Sequence, residues 1–418
     1  NLRACIIFVE KMKTEELRKE FPILSRKVNG RDLVYFDNAA TSQRPRSVIE
    51  EWNRLTSYSN ANIHRAVHTM AEECTEAYEQ ARDAVRAYIN AASREEIIFT
   101  SGATASINLV AYTFGERFVS EGDEIIVAEC EHHSDMVPWY MLCRRKNAKL
   151  VKLPVDDNGR LDTEILKSMI GERTRLVAVA HVSNVLGIVN PVEEIVRIAH
   201  SKNVPVLVDG AQGIVHCEVD VRKLDCDFYA FSGHKMYAAT GTGVLYGKRC
   251  WLEQLPPFMG GGEMIASVSF KDVKFADIPM RYEAGTQNFA SSATLKQACD
   301  LLNLLKDREL NQNFEQICLS MQNCLKNFDG LKIYGNAEVG SDRAPLWSFT
   351  VEGVHHEDLA ILLDKMGVAV RSGQMCAEPL MERFGVSGML RVSLAPYNTI
   401  DEVEYFGQAL DRAVGMLR

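Results

Sequence analysis

The chain has 418 residues, with 47 basic against 56 acidic for a net charge of -9, a sign that does not suit nucleic acid, whose phosphates call for a basic surface. Hydrophobic residues make up 46%, an ordinary globular share, and the apolar runs are strand-sized, too short to span a bilayer. The 11 cysteines are scattered and never form a CxxC pair, which points to free thiols in a reducing compartment, the cytoplasm by default.

Along the chain, the stretch Ala4 to Val9 is apolar but shorter than a signal-peptide core, and Met12 is a candidate start. In "CTEAYEQARDAVRAYI", Cys74, Tyr78, Ala81, Val85 and Tyr88 recur at helical spacing and predict one apolar face. "EEIIFT" reads as a strand, and "SGATASINLVAYTF" as a turn opening a helix capped near Ser101. Strands are expected at "DEIIVAE", "TRLVAVAHV", "VPVLVDG", "CDFYAFS" and "GVLYG", with helices such as "PVEEIVRIAHSK" between several of them. This alternation predicts an α/β fold built on a mostly parallel sheet covered on both faces. From about residue 295, "TLKQACDLLNLLKD" begins a helical stretch. Strands near "APLWSFTVEG" and "GVAVRSG" follow, then a last helix at "DEVEYFGQALDRAVGML", and together they form a second, smaller α+β domain.

Such sheets hold ligands beyond the carboxyl ends of their strands. Thr104, His132, Asn184, Asp209, Gln212 and Lys235 all fall at strand ends. Asp209 in "VLVDGAQG" and Lys235 in "FSGHKMYAATGTG" are open to two readings. One is a plain ion pair. The other is pyridoxal phosphate, whose aldehyde condenses with a lysine amine and whose ring nitrogen pairs with an aspartate. The turn at Gly102, Ala103 and Thr104 opens a helix and offers a phosphate its amides and a hydroxyl; Ser232 and His234 can add contacts, and His132 can stack on a ring.

Other motifs read more plainly. "ATGTGVLYG" lacks the GK[ST] ending of a nucleotide loop and precedes a strand, so Gly241 and Gly243 serve a turn. His64 and His68 are spaced as in a zinc helix, but Arg65 stands where a catalytic glutamate belongs. Cys130, His132 and His133 diverge on an extended segment. No metal site is expected. Ten cysteines read as small core hydrophobes. Cys376 differs, lying in the irregular, glycine-bearing "VRSGQMCAEPL" five residues after Arg371. A thiolate there would be a strong nucleophile, and the Arg371 fork suits a carboxylate.

"HVSNVLG", "VLVDGAQ", "DCDFYAFSGHK", "EAGTQN", "RSGQMCAEPLM" and "LRVSLAPYNT" closely resemble the class V aminotransferase superfamily of fold type I. Within it the chain is similar to cysteine desulfurases of the SufS type, also described as selenocysteine lyases. The resemblance implies a seven-stranded, mostly parallel sheet in a large domain over residues 31–295. It also implies a small domain at 296–418 and an N-terminal segment, 1–30, packing on that small domain. It implies pyridoxal 5'-phosphate bonded to Lys235, with Asp209 on the pyridine nitrogen, Gln212 on the ring hydroxyl, His132 stacked on the ring, and Thr104, Ser232 and His234 on the phosphate. Asn184 and Arg391 would hold the carboxylate of L-cysteine or L-selenocysteine, with Arg371 and His64 beside the substrate. Cys376 would be the persulfide-forming nucleophile. Family members are homodimers in which the "EAGT" loop, here Glu283 to Thr286, reaches the neighbouring phosphate. They pass sulfur to acceptor proteins of the SufE/SufU kind for iron-sulfur cluster assembly. Two features depart from the family pattern: Gln374 and Met375 stand where two histidines are common, and the phosphate turn reads "GATAS". A selenocysteine-specific lyase, a kynureninase-like lyase and a cofactor-binding scaffold without catalysis are the alternatives.

Overall fold

In the computed structural model, residues 14–335 and 342–418 are described; the Ala4 to Val9 stretch and Met12 lie outside them. The apolar runs become the strands β1 Ile97–Thr100, β2 Glu124–Ala128, β4 Thr174–Ala180, β5 Val206–Asp209, β6 Phe228–Ser232 and β7 Gly243–Gly247, and a seventh that the pattern does not announce, β3 Lys149–Leu153, carries two lysines on the sheet edge. They form one sheet in the order β1-β7-β6-β5-β4-β2-β3, parallel throughout except that β7 runs antiparallel to both neighbours. Strand residues alternate between two cores. Ile98, Ile125, Leu176, Ala178 and Leu207 enter one, and Ile97, Ile126, Val177, Val179 and Val208 the other. Both faces of the central strands are therefore buried, which is why they read as apolar runs, whereas the edge strand β3 keeps Lys149 and Lys152 in solvent.

Three helices frame the site. The helix α1 Thr69–Tyr88 buries Cys74, Tyr78, Ala81 and Val85, as its spacing predicts, while Tyr88 is half-buried and its hydroxyl donates to the Ile214 carbonyl at 3.1 Å. Its N-cap is His68, whose Nδ1 accepts the Ala71 N–H at 3.4 Å. His64 precedes the helix in the left-handed region (φ 67°), so the pair is not on one helix face. The helix α2 Ala103–Phe118 starts one residue later than the Ser101 cap expected from sequence. Gly102 is its N-cap, at φ 152°, and Gly243 packs so closely that a Cβ there would fall 2.4 Å from the Gly102 Cα. The first amide is capped from outside, Ala103 N–H donating to Ser232 Oγ at 2.8 Å. The third helix, α3 Val137–Lys146, carries Trp139, Leu142 and Cys143 into the core.

Glu283 opens the "EAGT" loop and is buried against α1 and β1. Arg82 donates to it from Nη1 at 2.7 Å and Nη2 at 2.9 Å, and the Tyr78 hydroxyl and Phe99 N–H add bonds of 2.8 and 2.7 Å. Removing one partner of such a pair strands the other charge out of water. Arg82→Met is expected to cost about 3–5 kcal/mol of unfolding free energy in a denaturant titration; a loss below about 1 kcal/mol would show the pair to be solvent-screened.

The C-terminal part holds a four-stranded antiparallel sheet of β8 Leu331–Tyr334, β9 Leu346–Val351, β10 Arg371–Gly373 and β11 Met389–Ser393, in the order β8-β9-β11-β10. The helices α4 His356–Lys365 and α5 Ile400–Leu417 pack with it. The N-terminal segment leans on this part. Arg18 pairs with Glu402 at 2.7 Å, the Phe21 and Tyr397 rings lie 4.5 Å apart, and Val34–Tyr35 pairs in parallel with Val368–Ala369. Val34 and Phe36 enter the C-terminal core. The ten cysteines among the described residues are free thiols. Cys250 is exposed on a surface helix, against the expectation of a core position.

No helix among the described residues is long and apolar enough to cross a membrane. No cluster of three metal-ligating side chains occurs among them.

Candidate active site

A cavity of about 520 Å³ opens at the carboxyl ends of β4, β5 and β6. Thr104, His132, Asn184, Asp209, Gln212, Ser232, His234, Lys235, Arg371, Cys376 and Arg391 line it, so the fold brings together eleven of the residues selected from sequence. His64 and Thr286 are not among the lining residues. The His64 N–H donates to Thr75 Oγ1 at 2.9 Å and its Nε2 lies 3.3 Å from Glu79 Oε1, which holds it against α1. Thr286 is exposed on the loop anchored by Glu283.

At the cavity floor, Asp209 ends β5 with Oδ1 accepting the Ala211 N–H at 2.8 Å. Burial raises its carboxyl above the ordinary range, opposed by the nearby Lys235 charge. The same burial lowers Lys235, opposed by Asp209. A lysine so placed releases its proton more readily than one in water, which suits an amine that must act as nucleophile and base.

His132 ends the loop after β2. Its Nδ1 accepts the Ser134 N–H at 3.1 Å and contacts Ser134 Oγ at 2.6 Å, so the ring proton sits on Nε2. Burial, reinforced by the Lys235 charge, pushes His132 down to about 4. The ring therefore stays neutral across physiological pH, an uncharged aromatic plane. His234 is likewise pushed down to about 4, by burial first and then by Lys235.

Arg391 is 3% exposed on β11. Nη1 donates to the Asn184 carbonyl at 2.7 Å and Nη2 to Asp37 Oδ1 at 3.2 Å, while Nε is buried without a partner. Arg371 Nη2 reaches the other Asp37 oxygen at 3.1 Å. Asp37 thus bridges both arginines, a role the sequence reading missed. The orphaned Nε is an unsatisfied donor in a dry place, and a substrate carboxylate would satisfy it.

Cys376 sits at the mouth of the cavity in a turn closed by the Ala377 N–H donating to the Gln374 carbonyl at 3.0 Å. Both central residues have positive φ, Met375 at 51° and Cys376 at 56°, a strained choice for side chains with a Cβ. Three contacts hold it. Asn184 Nδ2 donates to the Met375 carbonyl at 2.9 Å, His133 N–H donates to the Cys376 carbonyl at 2.8 Å, and His133 Nε2 lies 2.7 Å from Glu378 Oε2. Met375 is buried and contributes only its carbonyl, so this position supplies no proton carrier. The Cys376 side chain is exposed and is the one thiol among the described residues that lines the cavity.

Pyridoxal phosphate fits these residues. Lysine and aspartate share the floor, an aromatic ring flanks it, and the N-terminus of the sixteen-residue α2 opens at the wall beside Ser232. A Cβ added at Gly102 would press on Ser232 Oγ at 3.2 Å, so the turn approaches the serine as closely as glycine permits. The sheet, the floor and the helix terminus together define a pyridoxal-phosphate enzyme of fold type I.

Comparison with known proteins agrees. The sequence profile of the family "Aminotransferase class-V" matches residues 34–406. A relative from Vibrio cholerae serotype O1 named "Probable cysteine desulfurase" is 41% identical over 97% of this chain and 100% of its own. A "Cysteine desulfurase" of Serratia proteamaculans is 43% identical over 96% of this chain and 98% of its own. Among solved structures, the cysteine desulfurase CsdA from Escherichia coli superposes with a TM-score of 0.90 at 38% identity, covering 98% of this chain and 100% of that one. The chain belongs to the class-V aminotransferase family, on its cysteine desulfurase branch.

Proposed function

We propose that the protein converts L-cysteine to L-alanine and keeps the sulfur as a persulfide on Cys376. The observation that carries this is the single cavity that joins the Asp209–Lys235 floor to an exposed cysteine at its mouth. Pyridoxal phosphate, when bound, supplies an aldehyde for amines and a ring that draws electrons from bonds at the substrate Cα.

The residues of the chain do the rest. With the cofactor bound, Asp209 would hold the far end of the ring, Gln212 would meet its hydroxyl, and His132 would stack on it. The α2 N-terminus with Thr104, Ser232 and His234 takes the phosphate. Arg391, through its free Nε, and Asn184 bind the substrate carboxylate, with Arg371 beside them. Lys235 takes the Cα proton and returns protons to the alanine carbon skeleton. The Cys376 thiolate attacks the substrate sulfur, a new S–S bond forms as the C–S bond breaks, and the bond electrons leave with the carbon that becomes the alanine methyl. Atoms and electrons balance without an outside oxidant or reductant.

The persulfide then passes to a sulfur-acceptor protein of the SufE/SufU kind, in the cytoplasm, for iron-sulfur cluster assembly. The working form is a homodimer in which exposed Thr286 reaches the second subunit's phosphate. Each subunit divides near residue 295 into a large cofactor-binding domain and a smaller C-terminal one, with the N-terminal segment packed on the latter. Alanine production from cysteine and from selenocysteine, measured side by side on the yellow holoprotein, tests the reading. Alanine and reducible sulfur from cysteine are expected. Product from selenocysteine alone would make it a selenium-specific lyase, and product from neither would make it a scaffold.

A further inference from the structure

Glu131 and Asp135 flank His132 in sequence, and both are sealed from solvent, at 1% and 0% exposure. Each uses one carboxyl oxygen. Glu131 Oε1 accepts the Ala180 N–H at 2.7 Å from the end of β4, and Asp135 Oδ1 accepts the Trp139 indole N–H at 2.9 Å from α3. The remaining oxygens, Glu131 Oε2 and Asp135 Oδ2, are buried and have no donor. The two carboxyl groups lie near enough to act on each other, the Asp135 charge being the largest influence on Glu131 after burial. Two carboxylates facing each other in a dry site cannot both ionise, and one proton between the two orphan oxygens satisfies both. Burial first, then the Asp135 charge for Glu131 and the Asp209 charge for Asp135, push each carboxyl well above its ordinary range.

We propose that Glu131 and Asp135 are a carboxyl pair sharing one proton, which locks the His132 turn between β4 and α3 and fixes a single negative charge behind Asp209. They are positioning residues, since neither lines the cavity. The charge acts through Asp209, with which both groups interact. It favours the cationic form of whatever opposes that carboxylate, namely Lys235 in the chain and, on the pyridoxal reading on which this consequence rests, a protonated ring nitrogen. The other groups around the pair are few. Cys130 is a buried thiol pushed up by burial and by Glu131, and Glu129 lies beyond it. His132 is neutral. The first three turns of α2 hold no charged residue, and the charges of α3 sit in its last turn.

Amide replacements separate charge from shape. Glu131→Gln and Asp135→Asn each leave one carboxylate and one amide donor between the same oxygens, so the single charge and the hydrogen bond persist. The double replacement removes the charge. In infrared difference spectra, a protonated-carboxyl C=O stretch is expected in the wild type and absent from both single variants. This readout does not depend on the cofactor, so failure of the pyridoxal reading would not be mistaken for failure of the pair. In the holoprotein, the pH midpoint of the visible absorbance is expected to stay put in both single variants. In the double variant it falls by on the order of one unit, because losing an anion disfavours a nearby cation. A protonated-carboxyl band that survives in either single variant, a wild type without the band, or a double variant with an unmoved midpoint would overturn the proposal. If the double variant does not fold, the two single variants decide it by the band alone.

Discussion

Replacing Lys235 by alanine is expected to abolish alanine formation from cysteine and to leave a folded protein that loses pyridoxal phosphate on desalting. The amine lies at a floor where burial lowers its pKa and Asp209 opposes that shift. Deleting it removes a costly desolvation and leaves Asp209, itself held towards the neutral form by burial, with only its Ala211 bond. Stability should therefore change little, and the loss should fall on chemistry. Proton transfer at the substrate Cα by a positioned base is worth roughly 10²- to 10⁴-fold, and the covalent hold on the cofactor goes with it. Alanine quantified by derivatisation and cofactor retained after gel filtration are the two measurements. Borohydride should fix the cofactor to Lys235 in the wild type and to nothing in the variant. A variant with undiminished turnover would move the base elsewhere in the cavity.

The sequence carried the sheet and the floor of the site for one physical reason. A strand covered on both faces is an unbroken apolar run, and a charge at its end is conspicuous. "VLVDG" and "FYAFSGHK" show this, and the geometry puts Asp209 at the end of β5 and Lys235 in the turn just past the end of the adjacent β6. What the sequence hid are contacts between distant segments. Asp37 looks like any residue of a turn, yet its carboxylate meets Arg391 across 354 positions. Capping is usually local, which points to Ser101 for α2, whereas the oxygen comes from Ser232, 129 positions away. Resemblance implies His64 beside the substrate, and Glu79 and Thr75 hold it outside the cavity of its own chain. The turn holding Cys376 is a fourth case. "QMC" carries no glycine or asparagine to announce two positive φ angles, and the bonds from Asn184 and His133 that support them come from the loops after β4 and β2.

Those bonds set the expectation for Cys376→Ala: cofactor colour and fold retained, persulfide absent, alanine formation from cysteine down to background. Alanine and cysteine bear the same Cβ, so the strain at φ 56° is unchanged and thermal stability should match the wild type. Turn and tethers run through backbone groups, the Cys376 carbonyl to His133 and the Met375 carbonyl to Asn184, and survive the change. Only the sulfur is lost. Among the described residues no other thiol lines the cavity, so no neighbour can take its place. The substrate carboxylate adds a coupling. Asn184 gives one amide N–H to the Met375 carbonyl and keeps a second for the substrate carboxylate, so one side chain ties the substrate to the turn bearing the nucleophile. Asn184→Ala should therefore weaken cysteine binding and also raise the rate at which an alkylating reagent reacts with Cys376 in the substrate-free protein. Persulfide detected by mass spectrometry after a single turnover reads the first point, and wild-type turnover on cysteine by Cys376→Ala would sink the desulfurase assignment.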